Sequence, residues 1–102
     1  MSEKQKQAFL DAYRDFKDMQ DWMFSIEIYH NNESSEPFIC TQVNVDRILI
    51  DYVEDCHFVI TFHTEESIYS FSSKNWLAHI GSGYVSFGSA YDKGTHCIIQ
   101  YC

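Results

Sequence analysis

The stretch DYVEDCHFVITFHTEES, Asp51 to Ser67, places five carboxylates, two histidines and a cysteine within seventeen positions. These residue types serve general acid–base catalysis and metal ligation, provided that they converge. If Glu54, Asp55 and Cys56 form a hairpin loop, Val53 pairs with His57, and Tyr52, Ile50 and Ile48 face Phe58, Ile60 and Phe62. A slip of one residue would set Asp51 against Phe58 and Arg47 against Phe62, so the apolar pattern selects the first register. Glu54 and Asp55 then lie at one end of a strand and Glu65 and Glu66 at the other, roughly 20 Å apart at ~3.3 Å per residue. A glycosidase carboxylate pair needs a separation of about 5 to 9.5 Å, and the ligands of one metal must all reach it. His57 and His63 are about as far apart, with Arg47 opposite His63. The segment is therefore expected to lend one face to the core and to present two separate acidic turns, with both histidines exposed and outside any metal site.

The remaining chemistry is sparse. Alternation sends His96 and Cys97 to opposite faces of the last strand, so they do not form a zinc site with Cys102. Gly81-Ser82-Gly83 precedes a strand and not a helix, which makes it a plain loop instead of a phosphate cradle. Ser, His and Asp occur without a nucleophile elbow. No catalytic residue, metal or cofactor is expected, and the chain reads as non-enzymatic.

A sharper feature lies near the start. Asp11, Asp15, Asp18 and Trp22 follow helical spacing and would form one stripe on the solvent side of a first helix. Asp18 and Asp21 would sit in its last turns and Lys4 and Lys6 near its start, the reverse of what the helix dipole favours. A tryptophan in an acidic row suits docking to a basic surface, since Trp anchors interfaces and carboxylates speed encounter. Lys17 and Arg14 partly neutralise the flank. A second candidate surface is the acidic loop of Glu33 and Glu36 with the tip at Glu54 and Asp55.

The composition agrees with a basic partner. Fifteen Asp and Glu against seven Lys and Arg give a formal net charge of −8 over 102 residues. Nucleic acid and anionic membranes are disfavoured, because both demand a basic patch. The opening MSEKQKQAFLDAYRD lacks the apolar run of a signal peptide, and no stretch reaches the ~20 apolar residues of a membrane span, so a cytoplasmic protein with reduced cysteines is expected.

The positioning elements follow from periodicity. Ser2 with Gln5 fits a capping box, and Phe9, Ala12, Tyr13, Phe16, Met19 and Met23 recur at helical steps, predicting an amphipathic helix from about Ser2 to Met23. The period then changes to two in Phe24, Ile26 and Ile28. Asn31 to Pro37 reads as a loop, a bend is expected between Asn44 and Arg47, and Glu65–Glu66 turns the chain so that Tyr69 and Phe71 join Phe62 and Ile60. KNWLAHIGSG is expected to be a short helical turn. The last hairpin turns at Asp92-Lys93-Gly94, pairing Tyr91 with Thr95 and Phe87 with Ile99. The sum is a single α+β domain spanning residues 1–102, its N-terminal helix packed on one face of a mostly antiparallel sheet of about six strands.

In size, acidity and compactness the chain resembles phage anti-defence proteins, including anti-CRISPR inhibitors, and immunity proteins that neutralise nuclease toxins. The resemblance implies an inhibitor whose carboxylates stand where phosphates would on a nuclease or CRISPR effector, acting as a monomer or homodimer. The competing expectation is a small-ligand binding domain that uses Tyr29, Tyr69, Tyr84, Tyr91 or Trp76 on an aromatic sheet. An enzyme built on His57, His63 or His96 ranks third.

Overall fold

The computed structural model describes residues 3–18, 22–30, 36–53 and 57–101. It contains α1 (Glu3–Phe16), β1 (Trp22–Tyr29), β2 (Ile39–Val53), β3 (His57–Thr64), β4 (Ile68–Ser72), β5 (Trp76–Gly81), β6 (Tyr84–Ser89) and β7 (His96–Tyr101). One N-terminal helix packs on one antiparallel sheet, as the periodicities require. The sheet has seven strands in the order β4-β3-β2-β1-β7-β6-β5, not about six. The additional strand is β5, where a helical turn is expected from the sequence. Trp76, Ala78 and Ile80 alternate toward the core, and pairing with Phe87 and Val85 outweighs the local turn signals.

The helix is also shorter than its apolar spacing suggests. Phe9, Ala12 and Phe16 are its buried residues, and the Lys17 N–H closes the final turn on the Tyr13 carbonyl at 2.8 Å. Asp18 lies beyond the helix, and Trp22 and Met23 already belong to β1, which pairs with β2 on one side and β7 on the other. Two ladders satisfy the backbone of this central strand, and Phe24 and Ile26 are buried within it. Glu3 occupies the first turn and Arg14 the last, so both of these charges complement the helix dipole. Lys4 and Lys6 do lie in the first turn, Asp18 lies just past the last turn instead of within it, and Asp21 lies outside the described residues.

β2 runs for 15 residues, and the bend expected between Asn44 and Arg47 is present as an irregularity within the strand and not as a break in it. Its first half pairs with β1 and its second with β3, and the register shifts between Val45 and Arg47. Asp46 is thus a bulge that bends and twists the strand without ending it. The β2–β3 register matches the sequence expectation pair for pair, from Val53 with His57 to Ile48 with Phe62. Tyr69 and Phe71 likewise join Phe62 and Ile60.

In the last hairpin Phe87 meets Cys97 and Val85 meets Ile99, a slip of two residues from the expected pairing. The loop is wider because its own side chains organise it. Ser89 Oγ accepts from the Tyr91 and Asp92 N–H groups, and Asp92 accepts from the Gly94 N–H at 3.0 Å and the Thr95 hydroxyl at 2.7 Å. A slip of two keeps each side chain on its face, so the core composition is unchanged.

Neighbouring strands in the chain are neighbours in the sheet except β4 and β5, while β1 and β7 pair, so the sheet is a meander rolled around one open seam. Across that seam Phe71 of β4 stacks on Phe87 of β6 at 4.1 Å and lies edge-on to Trp76 of β5 at 5.5 Å. Phe9 of α1 packs on the same Phe87 at 5.8 Å, and Gln5 Oε1 accepts the Ala78 N–H of the β5 edge at 3.0 Å. The helix therefore covers part of an edge that would otherwise invite pairing.

Candidate functional site

Three surfaces emerge from this framework. At the C-terminal end of α1, Asp15 and Asp18 are exposed and form no ion pair among the described residues. Asp11 is half-buried and differently occupied, accepting from Gln7 Nε2 at 2.8 Å and pairing with Arg14. Asp15 shares a shallow depression of about 270 Å³ with Gly81, Ser82, Gly83 and Tyr101. Trp22, 47% exposed, stands edge-on to Tyr101 at 5.5 Å. The stripe inferred from helical spacing is thus no helix face, because only Asp11 and Asp15 lie on α1. The turn and the start of β1 nevertheless bring Trp22 back beside the same end of the helix. Glu36 is exposed just before β2, whereas Glu33, Glu54 and Asp55 lie outside the described residues.

The second surface is the face of the sheet turned away from α1. Alternation places Glu27 and Tyr29 of β1, His96, Ile98 and Gln100 of β7, Tyr84 and Ser86 of β6, and His79 of β5 on this face. Several of them line a depression of about 300 Å³ with Ile98 and Ser86 adjacent in the β6–β7 register. Glu27 is half-buried, takes a hydrogen bond from Gln100 Nε2 at 3.1 Å and another from the Tyr29 hydroxyl at 3.3 Å, and forms no ion pair among the described residues. The Tyr29 and His96 rings stack at 4.8 Å, within 4° of parallel. Desolvation, and after it the nearby Glu27 charge, holds the Tyr29 phenol above its ordinary pKa. Tyr84 lies over Gly81, and a Cβ there would strike its ring, so glycine at that position sets the ring's place.

The third is a cavity of about 260 Å³ at the β4–β5 seam, bordered by Ile26, Ile28, Tyr69, Phe71, Trp76 and Cys97. Burial, with a smaller contribution from Glu27 in the adjacent strand, pushes the Cys97 thiol up to about 12. It is a protonated apolar wall, not a nucleophile.

His57 and His63 are half-buried instead of exposed; His63 has a strand on each side, whereas His57 pairs with Val53 of β2 alone. His96 and Cys97 do face opposite ways, the first half-buried and the second in the core. Among the described residues no group of three or more His, Cys, Asp or Glu is placed to hold a metal ion, and no helix is long and apolar enough to cross a membrane. Glu27, His79 and Gln100 carry no motif in the sequence. The only local signal is a carboxylate inside the apolar run WMFSIEIY, which alternation alone could have placed on the outer face. No family model, no curated protein and no solved structure matches this chain.

Proposed function

We propose that this protein is a small acidic, non-enzymatic inhibitor that covers the basic nucleic-acid-binding or catalytic surface of a partner protein. The observation that carries this reading is the end of α1, where Arg14 is taken by Asp11, Asp15 and Asp18 are exposed without an ion pair among the described residues, and Asp15 and the half-exposed Trp22 both approach Tyr101. A planar apolar anchor bordered by carboxylates is the complement of a surface built for phosphates. A nuclease or CRISPR effector is the first partner class, which would make this a phage anti-defence protein. A nuclease toxin, met by an immunity protein, is the alternative.

Capture from the source cell with the tagged chain should recover a basic nuclease or effector. Exchanging Asp15→Lys and Asp18→Lys should leave the circular dichroism spectrum intact and weaken that complex about tenfold at low salt, mainly through slower association. Equal affinity of the double variant, or affinity indifferent to salt, would remove this docking mode.

The seam cavity favours a second reading, the binding of a small apolar or aromatic molecule against Tyr69 and Trp76. Indole or 1-naphthol should then change Trp76 fluorescence saturably in a Trp22→Phe background, and Ile28→Phe, which fills the cavity, should abolish the change. A linear response unaffected by filling would rule this reading out.

A further inference from the structure

We infer that the outer sheet face holds a receptor for a guanidinium group, the arginine side chain of a partner, centred on Glu27. The inference rests on the reading of the protein as a module that docks basic surfaces, but it names a different surface from the end of α1.

Glu27 occupies the central strand, with Cys40 opposite it on β2 and Ile98 opposite it on β7. Glutamate is disfavoured at such positions, and a half-buried carboxylate gives up part of its hydration. Its two hydrogen bonds from Tyr29 and Gln100 come from neutral donors, and among the described residues it forms no ion pair. The field of this charge is felt by its neighbours, since it contributes to raising both Tyr29 and Cys97. A cation paired with it would therefore come from outside the described residues.

The depression specifies which cation. Each Glu27 oxygen accepts one hydrogen bond and keeps a further lone pair, so a bidentate fork can still be received. Gln100 donates through Nε2, which leaves its Oε1 as an acceptor. The Ser86 and Tyr84 hydroxyls border the same depression and can accept as well. A guanidinium, with five N–H donors in one plane, can address several of these acceptors at once, where the three clustered donors of an ammonium address fewer. The His96 ring, braced by its stacking on Tyr29, supplies a flat wall, and Ile98 supplies an apolar surface for the methylene stem. Glycine contributes at one position, because Gly81 admits the Tyr84 ring, which a Cβ there would strike.

The test uses the intact chain and a blocked arginine, N-acetyl-arginine N-methylamide, followed by NMR titration. Saturable shifts are expected at the Ile98 methyl groups, the Gln100 side-chain amide and the His96 ring. The blocked lysine analogue should bind several-fold more weakly. Glu27→Gln should cost about tenfold or more in affinity, as expected for loss of a charge-assisted pair. Gln100→Ala, at an exposed position, should cost a few-fold while keeping the fold. Absence of saturable shifts, or unchanged affinity in both Glu27→Gln and Gln100→Ala, overturns the site, and equal binding of lysine overturns its guanidinium character. Failure of partner capture with arginine binding intact would instead strike the docking reading, so the two can be told apart.

Discussion

At the scale of single residues, Glu27 and Cys97 stand on opposite faces of one sheet, in adjacent strands. Glu27 stands on the outer face and Cys97 in the core, 2% exposed, yet the carboxylate adds to the burial that lifts the thiol from 9.0 to about 12. The unfolded thiol ionises near 9 while the folded one resists to about 12, so this contribution to stability is complete below pH 9 and is lost as pH rises toward 12. Urea midpoints should therefore fall through that window in the parent chain more steeply than in Cys97→Ala, the slope with pH being the readout and not the absolute stability. In a background with Cys56→Ser and Cys102→Ser, a thiol reagent should modify exposed Cys40 at once and Cys97 only on unfolding. Rapid modification of Cys97 in the folded protein would contradict the packing of the seam. Asp92 shows the opposite sign, its carboxyl held below the ordinary range by the Thr95 hydroxyl and the Gly94 N–H, so its contribution is present above that range and is lost in strong acid.

At the scale of elements, the seam concentrates the aromatic packing of the fold. Phe71 touches Phe62 edge-on at 6.2 Å, Trp76 at 5.5 Å and the face of Phe87 at 4.1 Å, linking β4 to β5 and β6 where no backbone ladder joins them. Phe71→Ala should destabilise the protein by about 3–5 kcal/mol in urea unfolding, and amide exchange should quicken along β5. Phe38→Ala, at a site 72% exposed, should change stability by less than about 0.5 kcal/mol. Similar costs for the two would mean that the seam is not closed by side chains. The elements also show where sequence reading succeeds. The hairpin from Ile48 to Phe62 was legible because both strands alternate cleanly and a one-residue slip would bury Asp51 and Arg47. The β6–β7 register was not, because a slip of two preserves every face and Ser89, Asp92 and Thr95 set the loop width through contacts that leave no periodic trace.

For the molecule as a whole, charge and topology enter separately. The net charge of −8 and its bearing on partners follow from composition, and no arrangement of the chain can alter them. The helix, the alternating strands and the core face are likewise determined by local periodicity, since a buried face must repeat at the period of its element. Tertiary structure alone decided where α1 stops, because β1 gains ladders on two sides from strands far away in the chain. It also turned KNWLAHIGSG into an edge strand and rolled the meander until Phe71 met Phe87. The candidate sites divide in the same way. Asp15 and Asp18 could be named from composition and spacing, whereas Glu27, Tyr84, His96 and Gln100 come from β1, β6 and β7, whose side-by-side order is a property of the assembled sheet and not of any local pattern. Sequence by itself determined what each segment must bury; only pairing between distant strands decided which polar groups were left together on the open face.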